Sequence, residues 1–161
     1  MQEKELVKER KGRMFKIYCC KPISGRTAEE VFEYYEEMER TLSDYGYKVL
    51  SPLHGKDVLR TEKEFRATDY RHPVATNHAI FERDRWMVKQ ADVVYANMLD
   101  TKMVSIGSMM EMAWAFDSGK HVVLAIEPGN IHQHAFVLEA AHVVWESEES
   151  ALAYLKSLAK R

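Results

Sequence analysis

Short apolar runs alternate with longer segments of helical period along almost the whole chain, and this alternation sharply limits the folds available to it. Strands are predicted at about residues 15–20, 47–51, 92–98, 121–126 and 142–145, each followed by a helical segment. Because right-handed crossovers place such helices on the two faces of one sheet, we expect a doubly wound α/β fold of the flavodoxin-like or Rossmann-like kind. Its five parallel strands should follow the order 2-1-3-4-5, with helices on both faces.

Capping residues predict where the helices begin. Thr27, which is followed by two glutamates, is expected to cap the first helix. Asn77 is expected to cap the second helix, Ser105 to begin the third and Ser147 the last. A short helix is predicted around residues 133–141. The third helix is apolar on nearly every side, which predicts that it is buried.

Size and charge exclude several classes of protein. The 161 residues, 46% of them hydrophobic, fit one globular domain over residues 14–161 after a charged leader over residues 1–13. The formal net charge of −2 leaves no basic excess for a nucleic acid polymer. No apolar run approaches the roughly 20 residues of a membrane span, and the first residues lack the apolar core of a signal peptide. We therefore expect a cytoplasmic protein with no membrane partner.

The two cysteines, Cys19 and Cys20, are adjacent in a predicted strand. Their side chains should point to opposite faces of the sheet, which is typical of packing residues and not of a disulfide. Ligands of doubly wound sheets bind beyond the carboxyl ends of the strands, where the strand order reverses. That rule points to residues 18–26, to the loop after Asn97 and to the segment around Asn130.

Two carboxylates stand at positions where the pattern calls for apolar side chains. Asp84 interrupts the apolar face of its helix, and Glu111 lies among methionines with no cation within a turn. Burial without a cation raises the pKa of a carboxyl, which suits a nucleophile or a proton carrier. Plainer interpretations stay open: Asp84 pairs with a basic side chain of its own helix or accepts from backbone amides, and Glu111 is exposed.

Two short segments offer groups that bind anions. Ser105, Gly107 and Ser108 lie at a predicted helix start, where free backbone N–H groups and the helix dipole attract a phosphate. Ser24 and Arg26, after the first strand, either hold a phosphate or form only the turn into the first helix. Neither segment matches a Walker loop or a dinucleotide-binding glycine motif.

The segment GNIHQH contains Asn130, His132 and His134. Two histidines without a third ligand at a defined spacing are weak evidence for a metal, so no metal and no other cofactor is predicted. These side chains are expected to form hydrogen bonds at the mouth of a ligand site, or to belong to a plain loop.

Three segments together resemble the nucleoside 2-deoxyribosyltransferase family, which includes hydrolases of nucleoside 5′-monophosphates. They are KIYCCKPISG, RDRWMVKQADVVYANM and VSIGSMMEMAWAFDSGKHVVL. The resemblance implies that Glu111 is the nucleophile, that Asp84 engages the base and that Tyr18 orients the nucleophile. Glu111 would attack C1′ of the sugar to give a glycosyl-enzyme, which a second base or water resolves with overall retention. Asp84, holding a proton or sharing one with the base, would be the acid that assists departure of the base.

The resemblance leaves the substrate open. Six residues before the nucleophile many of the transferases carry a second aspartate, whereas this chain has Ser105, and the monophosphate hydrolases place a phosphate-binding serine there. We expect first a transferase that moves the deoxyribosyl group of 2′-deoxynucleosides between nucleobases. The alternatives are a (2′-deoxy)nucleoside 5′-monophosphate N-glycosidase and a non-catalytic nucleotide-binding module. The resemblance also implies a homo-oligomer with shared active sites, in which Asn130 or His134 reaches the neighbouring chain.

Overall fold

The computed structural model describes residues 13–160 and places five strands in one parallel sheet. The strands are β1 (Lys16–Cys20), β2 (Lys48–Leu50), β3 (Val93–Asn97), β4 (His121–Ala125) and β5 (Val143–Trp145). Their order is β2-β1-β3-β4-β5, which confirms the predicted topology. The order reverses at β1 and β3, which pair from Ile17 with Val93 to Cys20 with Ala96. Such a reversal opens a crevice at the carboxyl ends of the two strands.

α-Helices cover both faces of this sheet. They are α1 (Ala28–Asp44), α2 (Asn77–Gln90), α3 (Ile106–Asp117), α4 (Ala135–Glu139) and α5 (Glu148–Ala159). α1 and α5 pack on one face, and α2, α3 and α4 on the other. Cys19 belongs to the first core and Cys20 to the second, and both thiols are free and buried, as predicted. None of the helices within residues 13–160 is long and apolar enough to cross a membrane.

Side-chain caps set the helix starts, with two corrections to the predictions. Thr27 forms the predicted capping box at the start of α1. The prediction for α2 is wrong by one residue, because Thr76 accepts the capping hydrogen bond and Asn77 is already helical. The helix predicted around residues 133–141 is shorter, since the side chain of His134 accepts a backbone hydrogen bond and caps α4.

The prediction that α3 is buried is correct for one side of the helix only. Met112 and Ala115 face the sheet, whereas Ile106 and Phe116 are 73% and 52% exposed. α2 packs along one side of α3, but no element within residues 13–160 covers its outer side. An apolar helix can be buried by its own chain or by another molecule, and its sequence does not distinguish the two.

The connection between β2 and α2 is ordered and packs against the core. It contains two 3₁₀ turns, Asp57–Thr61 and Pro73–Ala75. Leu59, Phe65 and Tyr70 anchor it in the core beside α1. This long segment therefore forms a wall over the crevice.

The predicted charged leader lies, except for Arg13, outside the described residues. The guanidinium of Arg13 forms a 3.0 Å ion pair with Asp92 at the start of β3. The boundaries of the predicted single domain, and the predicted cytoplasmic location, stay predictions.

Candidate active site

A cavity of about 430 Å³ opens at the carboxyl ends of β1 and β3, where the strand order reverses. Its wall is formed by the loop after β1, the connection between β2 and α2, one side of α2, and the loop that leads into α3. Ligand pockets in proteins measure roughly 300–1,000 Å³, so this volume suits a ligand of nucleoside size. The strand-order rule thus located the cavity from the sequence.

Glu111 lies on the cavity wall, on α3. The hydroxyl of Tyr18, fully buried on β1, donates a 2.8 Å hydrogen bond to Glu111 Oε1. Burial raises the pKa of Glu111 to about 7, and the charge of Asp84 adds to the rise, while hydrogen bonds from Cys20 and Tyr18 oppose it. Burial also holds the pKa of Tyr18 well above its usual value, so its hydroxyl stays a donor. Tyr18 therefore orients a carboxylate that faces the cavity.

Asp84 is paired with a lysine from a distant segment. Its two carboxylate oxygens accept hydrogen bonds from Lys56 Nζ at 3.0 and 3.3 Å. Only 4% of the Lys56 side chain and 13% of the Asp84 side chain are exposed. Burial raises the pKa of Asp84 and lowers that of Lys56, and the charge of each partner opposes the shift of the other. Asp84 does not form the ion pair with a basic side chain of α2 that the sequence left open. The nearest candidate in sequence, Arg83, donates from its guanidinium to the Val74 carbonyl instead.

A chain of hydrogen bonds braces the start of α3. The side chain of Asn130 donates to the Met98 carbonyl at 2.7 Å and accepts from the His132 backbone N–H at 2.8 Å. His132 Nε2 accepts from the Ser105 backbone N–H at 2.8 Å, which requires a neutral ring, and burial lowers the pKa of His132 accordingly. Asn130 is thus a buried residue that holds the start of α3 in place, and it does not line the cavity. His134 is exposed at the start of α4, outside the cavity wall.

Most of the predicted anion-binding residues line the cavity, namely Ser24, Ser105, Gly107 and Ser108. Ser105 caps α3: its Oγ accepts from the Ser108 backbone N–H at 3.2 Å and lies 2.9 Å from Ser108 Oγ. Arg26 is not brought to this wall, because its guanidinium donates to the Asp100 carbonyl at 3.4 Å. The start of α3 is therefore the part of the cavity best placed for an anion.

Sequence reasoning missed Lys56, the cation that contacts Asp84. Lys56 stands in the segment HGKD, which has the composition of an exposed turn. The signal that could have found it is the pair Leu53 and Leu59, both buried, three residues to either side. The Lys56 backbone N–H donates to the Leu53 carbonyl, and its carbonyl accepts from the Leu59 N–H, both at 2.9 Å. These anchors hold the turn against the core, so the lysine side chain is buried beside the cavity.

The fold and the site together define a doubly wound α/β protein with two carboxyls where the strand order of its sheet reverses. A tyrosine holds Glu111, and a lysine holds Asp84. The family model described as nucleoside 2-deoxyribosyltransferase matches residues 17–147, which is most of the chain. The chain belongs to the nucleoside 2-deoxyribosyltransferase family.

Solved structures with the same fold are similar to this chain at low sequence identity. A conserved protein from Enterococcus faecalis is 19% identical with a TM-score of 0.59, and the match covers 91% of this chain and 99% of that one. The CMP N-glycosidase of Clostridium botulinum is 16% identical with a TM-score of 0.55, over 89% of this chain and 98% of that one. At these identities the likeness concerns the fold alone. A search of curated proteins found no match.

Proposed function

We propose that the protein cleaves the N-glycosidic bond of 2′-deoxynucleosides and transfers the deoxyribosyl group to another nucleobase. The observation that carries the proposal is the Glu111 carboxylate, held by Tyr18 at 2.8 Å on the wall of a cavity of nucleoside size. Membership of the nucleoside 2-deoxyribosyltransferase family supports the same chemistry.

Glu111 is the proposed nucleophile of this reaction. Its carboxylate attacks C1′ while the bond to the base breaks, through an oxocarbenium-like transition state, and a covalent glycosyl-enzyme results. A second base, or water, then attacks C1′ from the opposite face and releases the carboxylate, so that the configuration is retained overall. Tyr18 keeps the nucleophile aligned, and Asp84 acts on the base together with Lys56, the lysine paired with it.

A second candidate function is hydrolysis of (2′-deoxy)nucleoside 5′-monophosphates with the same nucleophile. Ser105 favours it, because this serine begins α3 on the cavity wall. Six residues of helix span about 9 Å, which lets Ser105 approach a 5′-phosphate while Glu111 reaches C1′. The third candidate, a non-catalytic nucleotide-binding module, predicts binding without turnover.

Product analysis over a panel of substrates separates these candidates. Each deoxynucleoside is incubated with a different free base, each monophosphate is incubated alone, and the products are separated by chromatography. We expect base exchange from the nucleosides. Free sugar phosphate without any exchange would establish the hydrolase instead, and bound ligand without product would establish the binding module.

The Ser105→Ala variant measures the phosphate interaction. If the hydroxyl donates to a 5′-phosphate, the lost charge-assisted hydrogen bond costs about 1.5–3 kcal/mol. That is roughly 10- to 150-fold in kcat/KM for monophosphates and little for nucleosides. Equal losses on both kinds of substrate would mean that Ser105 only caps α3.

Ser147→Ala is the matched control for this variant. Ser147 caps α5 as Ser105 caps α3, with its Oγ accepting from the Ser150 backbone N–H at 3.2 Å and lying 3.0 Å from Ser150 Oγ. Its removal should lower the free energy of unfolding by about 1 kcal/mol and leave kcat/KM unchanged on both kinds of substrate.

We further propose that a second copy of the chain packs on the outer faces of α2 and α3. Large apolar side chains are exposed there: Phe81, Trp86, Ile106, Met110 and Phe116. Large apolar side chains exposed on two helices that pack together are typical of an interaction site. Ile106 and Met110 also line the cavity, so a partner on this surface would border the substrate, in line with the shared sites that the family resemblance implies. His134 stays the proposed group that reaches the neighbouring chain.

Light scattering after size exclusion tests this assembly. The wild type is expected to be a dimer or larger, and Trp86→Glu to shift it toward the monomer and lower its activity, because a charge cannot be buried in an apolar contact without a partner. Ala153→Glu is the control, since Ala153 is exposed on α5, on the opposite face of the sheet from α2 and α3, and should change neither property. A wild-type monomer with full activity would rule the assembly out.

A further inference from the structure

Departure of a nucleobase requires a proton, and the structure changes which residue is suited to supply it. Breaking the C1′–N bond leaves an electron pair on the base, and a proton delivered there makes the base a much better leaving group. The family resemblance implies Asp84 for this task. However, both Asp84 oxygens accept hydrogen bonds from the Lys56 ammonium group, and this arrangement favours the ionised carboxylate over the carboxylic acid. Another group on the cavity wall is therefore better suited to supply the proton.

We propose that Lys56 is the catalytic acid that protonates the departing base, with Asp84 as the carboxylate that anchors it. The inference rests on the glycosidic cleavage proposed above. Lys56 lines the same cavity as Asp84 and Glu111. An ammonium group has three N–H donors, and the two hydrogen bonds described for Lys56 both go to Asp84, which leaves one donor for a base.

The surroundings of Lys56 weaken its hold on the proton. Burial lowers the pKa of Lys56 and the positive charge of Arg83 lowers it further, against the opposing charge of Asp84. A buried lysine with a lowered pKa gives up its proton more readily than a surface lysine does. After the transfer, the contact with Asp84 keeps the amine in place to be protonated again.

Other proton donors near the cavity are committed elsewhere. Tyrosine hydroxyls already donate to protein acceptors at Tyr18, Tyr35 and Tyr70. The ammonium group of Lys21 lies over the ring of Tyr34, 4.8 Å from its centroid. The guanidinium of Arg66 does not release a proton in a protein. Among the described residues that line the cavity, Lys56 is therefore the acid best placed beside Glu111.

The proposed step balances without a further reactant. The Glu111 carboxylate forms a bond to C1′, the C1′–N bond breaks, and its electron pair passes to the base. The base takes a proton from Lys56 Nζ, and Lys56 becomes a neutral amine beside Asp84. When water or a second base resolves the glycosyl-enzyme, the incoming nucleophile releases a proton, which restores the ammonium group.

The test compares a nucleobase with its ring-fluorinated counterpart on the same sugar, for example 5-fluorocytosine with cytosine. Fluorine helps the base to leave without a proton but makes it harder to protonate, so the two effects oppose each other in the wild type. In Lys56→Met we expect kcat/KM on the ordinary base to fall by about 10²–10⁴-fold. The fall on the fluorinated base should be smaller, by roughly tenfold, because that base depends less on the acid.

Lys56→Arg is the matched control, because arginine keeps a positive charge beside Asp84 but does not release its proton. It should melt like the wild type and still show the unequal losses, and it keeps the test decisive if Lys56→Met does not fold. Full turnover in Lys56→Arg, or equal losses on the two bases, would show that Lys56 only positions Asp84. A wild type that releases no base from any substrate, or that keeps its activity after Glu111→Gln, would overturn the glycosidic proposal and this inference with it.

Discussion

Replacing Glu111 by glutamine is expected to lower kcat/KM by roughly 10³–10⁶-fold. The amide carries no negative charge and cannot form the glycosyl-enzyme. The fold should survive, because glutamine has nearly the same shape and its Oε1 can still accept the hydrogen bond from Tyr18. Release of free base measures the loss, and the melting temperature checks the fold. Asp117→Asn, at the exposed end of the same helix, is the control that should keep full activity.

The covalent intermediate gives the same assignment a second and independent test. A slow 2′-fluoro substrate should leave its sugar on the protein, and intact mass spectrometry followed by peptide mapping should locate the adduct on Glu111. The Glu111→Gln variant should form no adduct. An adduct on another residue would overturn the assignment of the nucleophile.

The second large effect expected is a fall in kcat/KM of about tenfold for each pH unit below 7. Glu111 must be ionised to attack C1′, and its pKa is raised to about 7 by burial and, secondly, by the charge of Asp84. A raised carboxyl pKa means that the inactive protonated form prevails below that value, so the loss lies on the acid side. An ordinary glutamate, with a pKa of about 4.3, would keep the enzyme active well below this range.

Variants of the groups around Glu111 show whether the fall in kcat/KM at low pH is caused by protonation of Glu111. The titratable groups that act on its carboxyl come from three elements and are Tyr18, Cys20, Lys56 and Asp84. Asp84→Asn removes the negative charge that raises the Glu111 pKa, so the fall in kcat/KM should begin at a lower pH. Tyr18→Phe removes a hydrogen bond that stabilises the Glu111 carboxylate, so the fall in kcat/KM should begin at a higher pH. If the pH at which kcat/KM falls is unchanged in both variants, the fall is caused by a group other than Glu111.

Much of the fold was predictable because its signals are local. The spacing of apolar residues distinguishes helix from strand, and their alternation predicted a parallel sheet with helices on both faces. The order of the strands then located the cavity at β1 and β3, before any contact was known. Asp84 and Glu111 were found because each breaks the apolar pattern of its helix, and that misfit is visible in the sequence.

The sequence by itself therefore determined the α/β topology, the place of the cavity and the two carboxyls. Only the tertiary structure decided that Lys56 pairs with Asp84 across 28 residues, and that Asn130 braces the start of α3. It also decided which side of the apolar helix α3 stays exposed. The reason is physical: periodicity reports which face of an element is apolar, whereas an ion pair or a brace depends on which distant segments meet. That meeting is set by packing around the whole core.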